Sequence, residues 1–502
     1  MNVFRTKSVE QSIRDTEEPE HKLKKNLGAM DLTVFGVGVM IGAGIFVLTG
    51  TVAASNSGPA IAISFAIAGV ACGLAALCYA EFASTVPVAG SAYTFSYATF
   101  GELVAWIIGW DLALEFVIGA SALSVGFSGY LQTVLEGTAF ALPDALTSAD
   151  AGVLNLPAVV IALALMTVLV LGIKLSSMIN QVVVAIKVVA IVAVIVAGLG
   201  YIKASNYTPF IPESRPVEAG GGGFLDQTLI STLLGVEPAV YGFAGVIAGA
   251  SVVFFSFIGF DIVATTAEEA RNPQKDIPIG ILGSLAIVTV LYMAVSLVIT
   301  GMQSYTDIDP EDAAPLATAF DAVGVEWMGD LVAIAACIGL TVVVMILMLG
   351  QTRVAFAMSR DGLLPRGLAK VHPKFGTPYR ITLITGVVVA AIAGFVDLRT
   401  LADLVSIGTL FAFLLVSAGV VVLRRTRPDL PRSFRTPMAP VVATLAVLLC
   451  FYLMLNLTGE TWLRFLLWMA IGIVVYFLYG YRNSRVGARQ GSTEQPESTL
   501  EP

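Results

Sequence analysis

The sequence predicts an all-helical, polytopic membrane protein of twelve spanning segments, and three observations carry that fold class. The first is composition. Of 502 residues, 57% are hydrophobic and only 13% are charged, with a mean hydropathy of +0.85, far too apolar for a soluble chain of this length. The second is length: twelve apolar segments each reach the roughly 20 residues that a hydrocarbon core about 30 Å thick requires. The third is charge, because Lys and Arg alternate between the two sides as the spans are counted off.

The segments lie near 31–54, 60–83, 98–131, 154–174, 180–202, 244–265, 278–301, 328–358, 379–397, 401–424, 438–457 and 462–481. With the amino terminus inside, the inner face collects 23 of the 28 cations. These come from the first tail, Lys174, Arg271 and Lys275, the loop from Arg353 to Arg380, the loop from Arg424 to Arg435, and the tail from Arg482. Outside fall only Lys203, Arg215, Arg399 and Arg464, and Lys187 lies within a span. One span more or fewer would destroy this asymmetry, so both termini are expected in the cytoplasm.

Residues 1–27 form a tail of mixed charge with no apolar stretch of the kind a cleaved signal needs, so the first span serves as its own insertion signal. Residues 482–502, rich in Ser, Gly, Gln, Glu and Pro, read as a disordered cytoplasmic tail. The outer loop from Lys203 to Tyr241 carries Pro209, Pro212, Pro216 and the run Gly220 to Gly223, which reads as flexible, with a short surface helix over Asp226 to Leu234. The inner loop from Glu268 to Pro278 is expected to end one helix at Asn272-Pro273 and to start the next with Asp276 as its cap and Pro278 in its first turn.

Composition also excludes. The net charge of -8 resides largely in the tails and outer loops and implies no nucleic-acid partner. Cys72, Cys78, Cys337 and Cys450 all fall in apolar segments without metal-ligand spacing and read as reduced core residues. His21 and His372 are the two histidines, neither in a span, and no metal-binding set appears, which argues against an intramembrane hydrolase.

Two segments are unusual. Phe35 to Phe46, read FGVGVMIGAGIF, places Gly36, Gly38, Gly42 and Gly44 within twelve residues. Each glycine in a helix interior costs about 1 kcal/mol against alanine, so packing or a broken helix must justify them. Gly38 and Gly42 at i, i+4 suit close helix packing. A helix broken at membrane depth is tolerated where protein or a water-filled cavity satisfies the freed amides and carbonyls, which makes such a break a small-molecule site. A second interruption, FFSFIGFD from Phe254 to Asp261, sits in the sixth segment. Paired interruptions at matching places in two halves point to a transporter site built from repeats, and the binding reading then exceeds the packing one.

The motifs IGAGIF (Ile41–Phe46), GPA (Gly58–Ala60), YAEFASTVPVAGSAYTFSYATFGE (Tyr79–Glu102), FIGFD (Phe257–Asp261), EEARNPQKDIP (Glu268–Pro278) and RVAFAMSRDGLLP (Arg353–Pro365) resemble the amino acid, polyamine and organocation transporters. Within that superfamily the chain is most similar to bacterial and archaeal members of the cationic amino acid transporter family, over about Leu27 to Tyr481. The resemblance implies a LeuT-type fold of two five-helix inverted repeats plus two extra helices. It gives a transporter domain over 28–481, with a first repeat near 31–202, a second near 244–424 and the extra helices near 438–481. It implies an amino acid permease in the cell membrane, with the proton as coupling ion and no other cofactor. The partners implied are the amino acid and the lipid bilayer; a small single-span partner stays open.

The physics of such a substrate agrees. Amides at a helix break can hold its carboxylate, aided by the helix dipole, and free carbonyls can hold its ammonium. Carried over residue by residue, the resemblance implies that Ala43 and Gly44 offer amides while Gly42 lets the chain approach. It gives the ammonium to the carbonyls of Met40, Phe255 and Ile258, and makes the Phe255 ring a gate. Ile41, Phe254, Ser256, Ile338, Thr341 and Val342 would then set substrate choice. No acid among them greets a cationic side chain, and Val342-Val343 stands where animal members favouring arginine and lysine carry more hydroxyls, so neutral or small amino acids are expected.

Lys187 stands in an otherwise apolar run, and an intramembrane ionisable residue is by default a functional one. It matches a helix-five lysine that, in proton-coupled relatives, occupies the place of a sodium ion in sodium-coupled ones. Its protonation is therefore expected to couple proton entry to closure of the first helix; snorkelling to the inner surface is the structural alternative. Asp111 and Glu115 share a face of the third segment, and Glu115, in WDLALEF, is assigned a coupling role beside the plainer one of pairing with a neighbouring backbone. Asp261 either bridges the sixth helix to an inner gate or caps the interrupted helix. Sodium coupling or exchange by the same fold ranks second to proton symport, and a receptor or membrane enzyme is remote.

Overall fold

The computed structural model describes residues 5–6, 27–86, 91–147, 154–172, 177–216, 224–235, 239–266 and 270–487. Most of both tails and the run Gly220 to Gly223 lie outside the described residues. The chain within them is almost entirely helical, in long pieces: α1 (Ala29–Met40), α2 (Leu48–Val52), α3 (Ile61–Thr85), α4 (Ser91–Thr99), α5 (Glu102–Leu135), α6 (Leu156–Val170) and α7 (Ser177–Gly198). They continue with α8 (Gly242–Val253), α9 (Phe260–Thr265), α10 (Pro273–Met302), α11 (Glu326–Arg360), α12 (Tyr379–Phe395), α13 (Leu398–Thr426), α14 (Ala439–Leu455) and α15 (Gly459–Val475). A two-residue pairing, β1 (Arg215–Pro216) against β2 (Ala239–Val240), closes the outer loop.

Among the described residues, eight helical stretches are long and apolar enough to cross a membrane. Four shorter apolar helices, α1, α6, α12 and α14, accompany them. Exposed apolar side chains such as Val189, Val290, Phe395, Leu467 and Leu478 stud the helix exteriors, the arrangement of a protein whose solvent is lipid. The four cysteines are free, with Cys72, Cys78 and Cys450 fully buried.

Three boundaries differ from the sequence expectation. The third segment begins at Glu102 rather than 98, because Gly101 adopts φ 98, a left-handed turn that suits glycine, and thereby separates α4 from α5. The inner loop hands over earlier than expected. Asn272 is the residue before α10, Pro273 opens the helix, and Asp276, already inside it, reaches back so that its carboxylate accepts the Asn272 N–H at 3.0 Å. Pro278 consequently sits in the second turn. The outer surface helix is shorter, Leu229–Leu234, and is capped by the Thr228 hydroxyl, which accepts the Ser231 N–H at 3.3 Å.

Buried charge is matched where the helices end. Glu81 accepts two bonds from Arg424, at 2.8 and 2.6 Å, and a third from the Thr436 N–H at 2.8 Å. Glu102 accepts the hydroxyls of Tyr97 and Tyr476, each at 3.0 Å, together with that of Ser484. Such fully bonded carboxylates avoid the penalty of burying an unpaired charge and lock α3 to α13 and α5 to the carboxyl-terminal helix. Stacked indoles, Trp110 on Trp468 at 4.5 Å, add to the second clasp.

Candidate functional site

The first interruption is built from chain geometry. α1 ends at Met40, Ile41 turns out of the helix with ψ 89, and the chain re-enters helix over Ala43–Phe46 before α2. The Phe46 N–H donates to the Gly42 carbonyl at 3.2 Å, so a new helical turn starts there. In any new turn the leading amides have no carbonyl four residues back, and here those amides belong to Gly42, Ala43 and Gly44.

The second interruption has a different anatomy. α8 tightens into a 3-10 turn over Phe254–Phe257, Ile258 becomes extended with ψ 135, and Gly259 takes φ 123 before α9 begins. That φ suits glycine, and a Cβ at Gly259 would in addition stand 2.6 Å from the Val39 side chain. The two interruptions therefore lie against one another. A Cβ placed on Gly44 would come within 2.2 Å of the Cα of Ser256.

Two side chains from other helices hold this meeting point. Lys187 of α7 is fully buried and its Nζ donates to the carbonyls of Gly38, at 2.7 Å, and Ile41, at 2.9 Å. These are carbonyls that α1 leaves over at its end, and an ammonium with three donors suits them. The lysine stem lies along α11, where a Cβ on Gly339 would stand 2.7 Å from its Cε. Tyr292 of α10 directs its hydroxyl at the carbonyls of Ser256, at 2.9 Å, and Met40, at 2.5 Å, one from each interruption. The Tyr130 hydroxyl of α5 donates to the Phe46 carbonyl.

The structure thus gathers Met40, Ile41, Gly42, Gly44, Phe255, Ser256, Ile258 and Lys187 into one region, with the backbone of Ala43 in the same turn. Ser256 is 2% exposed and its hydroxyl has no hydrogen-bond partner among the described residues. The Phe255 ring is buried, and its carbonyl accepts the Ile258 N–H at 3.2 Å. Met40 differs from expectation: its carbonyl already receives Tyr292, which leaves one lone pair for a ligand rather than two. Lys187 is turned into the bundle and bonded to α1, not extended to the inner surface.

Of the eighth-segment residues expected at the site, Val342 is buried, but the other two are turned elsewhere. The Thr341 hydroxyl donates to Cys337, one turn back in its own helix, at 2.7 Å, and Ile338 is 39% exposed on the outer face. Facing inward instead are Gly339, against Lys187, and Val343, which stands 3.7 Å from where a Cβ on Gly42 would be. A helix turns 100° per residue, so shifting the face by one position exchanges lipid for interior.

The acids form a separate group. Asp261 accepts the Gly259 N–H at 3.2 Å and so closes the turn that starts α9, as the capping alternative had it. Glu115 is buried with Asp111, Asp261 and Thr409 as its polar neighbours, and Asp111 lies beside Gly408 of α13. Gly38 and Gly42 divide their roles. Gly38 admits Val184 of α7, as a packing glycine does, while Gly42 faces Leu123 and Val343 at ordinary contact distance.

Comparison with known proteins decides the family. A family model described as amino acid permease matches residues 27–478. The chain belongs to this family. The permease is 46% identical over 491 residues, 97% of its length and 99% of the other's, to a branched-chain amino acid permease, BcaP, of Bacillus subtilis. It is 45% identical over 487 residues to the methylthioribose transporter of the same organism, again across 99% of that protein. It is 39% identical over 432 residues to a vacuolar cationic amino acid transporter 4 of Arabidopsis thaliana, covering 85% of this chain and 68% of that one. The permease is accordingly a multi-pass membrane transporter and not an enzyme.

Tyr292, Tyr130 and Gly339 escaped the sequence reading. The signal for the tyrosines was present, since a tyrosine buried in an apolar span must find a partner for its hydroxyl. Nothing in the sequence named which carbonyl.

Proposed function

We propose that the permease carries neutral amino acids across the cell membrane by proton-coupled symport, with alternating access around the paired interruptions. The single observation that carries this reading is the Lys187 ammonium bonded to the Gly38 and Ile41 carbonyls at the end of α1. A proton on Lys187 holds those carbonyls in place. Its loss leaves a neutral amine whose two remaining N–H groups bond those carbonyls more weakly, without the charge that strengthened them, so protonation and the position of the first interruption are coupled.

On this reading the twelve apolar segments are twelve spans with both termini inside, arranged as two five-helix inverted repeats and two further helices. The substrate carboxylate is taken by the amides of Ala43 and Gly44, and its ammonium by the carbonyls of Phe255 and Ile258 and the remaining lone pair of Met40. Displacement of Ser256 from Gly44 makes the room, and its hydroxyl gains a partner in the substrate. Phe255 acts as the gate, and Glu115 with Asp261 assists the coupling. The apolar neighbours Leu123 and Val343 suit a neutral, and in particular a branched, side chain, in keeping with the name of the Bacillus permease at 46% identity.

The experiment is labelled L-alanine and L-valine uptake into proteoliposomes, with and without an inward proton gradient, for wild type and Lys187→Met. Gradient-driven accumulation lost in the variant is the expected result. Uptake that ignores the gradient but needs internal amino acid makes the protein an exchanger, and gradient-driven uptake retained by Lys187→Met removes the lysine from coupling. A second reading, an uncharged thiosugar substrate, is favoured by the relative at 45% identity. Competition of valine uptake by methylthioribose, alongside arginine, separates the two.

A further inference from the structure

The face that carries most of the cations holds a groove that the transport reading does not use. It encloses about 1100 Å³ between the start of α10 and the residues Ser433 and Phe434 that precede α14. A hydrogen bond spans it, from the Ser433 hydroxyl to the Gln274 amide oxygen at 2.9 Å.

The lining changes character along its length. Arg271 and Lys275, both exposed, stand at the end next to the loop, while Pro278, Ile279, Leu282 and Gly283 line the other end, one to two turns up α10. Asp276, in the same turn as the cations, is buried and turned to the Asn272 N–H, so its charge is directed away from the groove. The apolar end does not stop at the groove. Ile279 is 46% exposed, Ile287 46% and Val290 67%, and their spacing puts them on one face of α10. On a spanning helix that face meets acyl chains.

We propose that this groove is a binding site for an anionic phospholipid of the cation-rich leaflet. Arg271 and Lys275 hold the headgroup phosphate, and the acyl chains run along Ile279 and Leu282. Two features distinguish this ligand from a soluble phosphate: the cations stand at the water end of a groove that opens on lipid, and the apolar track continues beyond it. Basic pockets between spanning helices on the cytoplasmic side recognise anionic headgroups by this combination. Arg271 also ties the site to α1, because its N–H donates to the Leu27 carbonyl at 2.8 Å just before that helix begins. A lipid held here steadies the foot of the first interrupted span. The inference rests on the membrane location and not on the identity of the transported substrate.

The test is native mass spectrometry of the full chain in detergent, titrated with phosphatidylglycerol, phosphatidylcholine and free glycerol phosphate. Wild type is compared with Arg271→Gln/Lys275→Gln and with Arg366→Gln/Lys370→Gln, which removes two exposed charges from another inner loop. Retention of phosphatidylglycerol about thirtyfold weaker in the first variant, unchanged in the second, is expected from two surface cations. Should the first variant fail to fold, Ile279→Trp, which fills the apolar end with the cations intact, must reduce retention by itself. Equal loss in both charge variants, equal retention of phosphatidylcholine by wild type, or tight binding of glycerol phosphate alone would each overturn the proposal.

Discussion

The Tyr292 hydroxyl shares its one proton between the Met40 carbonyl of the first interruption, at 2.5 Å, and the Ser256 carbonyl of the second, at 2.9 Å. One side chain from α10 thus ties the two broken spans together at the point where each has lost its regular hydrogen bonds. Tyr292→Phe keeps the ring, which packs on Phe65 and Phe257, and removes that tie. It leaves buried carbonyls short of a donor at a cost of about 1–3 kcal/mol. Thermal unfolding should fall accordingly, and substrate uptake should fall further than Tm does; an unchanged uptake rate would remove Tyr292 from the transport cycle.

Gly339 gives a test of Lys187 that leaves the lysine in place. Alanine there would put its Cβ 2.7 Å from the lysine Cε, and the flexible stem must move to admit it. Movement lengthens the bonds to Gly38 and Ile41. Gly339→Ala should lower gradient-driven uptake several-fold while leaving expression and Tm close to wild type, and a variant with full uptake would show that the lysine tolerates displacement.

A pair of glycines separates contact from composition. Gly44→Ala drives a Cβ to 2.2 Å from the backbone of Ser256, which only a separation of the two interruptions can relieve, whereas nothing lies within 4 Å of a Cβ added at Gly73 in α3. Gly73→Ala should be neutral or stabilising by up to about 1 kcal/mol, because helix interiors prefer alanine. Gly44→Ala should abolish uptake. Comparable uptake by both would mean that the closeness of Gly44 to Ser256 is not used.

The clasp between α3 and α13 has an energetic signature of its own. Glu81 is 3% exposed and accepts three hydrogen bonds, two of them from Arg424. Arg424→Met leaves the carboxylate with the Thr436 N–H and Arg432, whose nearer nitrogen is 3.5 Å away. The expected loss is about 1–3 kcal/mol by chemical or thermal unfolding in detergent, and the double variant Glu81→Gln/Arg424→Met should recover part of it, since the buried carboxylate is then neutral while Arg432 keeps its bonds to the Leu423 and Arg427 carbonyls. A double variant less stable than the single one would show that the unpaired carboxylate is not what destabilises Arg424→Met.

Much was legible in the sequence because a bilayer imposes simple demands. Apolar runs of spanning length, the side on which Arg and Lys collect, the glycines of Phe35 to Phe46 and the interruption at Phe254 to Asp261 are each written locally, and hydrocarbon punishes any departure from them. Lys187 was conspicuous for the same reason, as one charge in an apolar run. What tertiary structure alone decided is which group satisfies which. The sequence could say that the carbonyls at the end of α1 need donors; it could not say that Lys187 would supply Gly38 and Ile41 while Tyr292, some hundred residues further on, would reach Met40 and Ser256. Nor could it choose the inward face of α11, where Gly339 and Val343 stand against Lys187 and the first interruption while Ile338 is exposed and the Thr341 hydroxyl bonds back to its own helix. Hydropathy along a span is nearly uniform, so it fixes that a helix crosses the membrane but not how it is turned, and rotation is set by the packing of neighbouring helices.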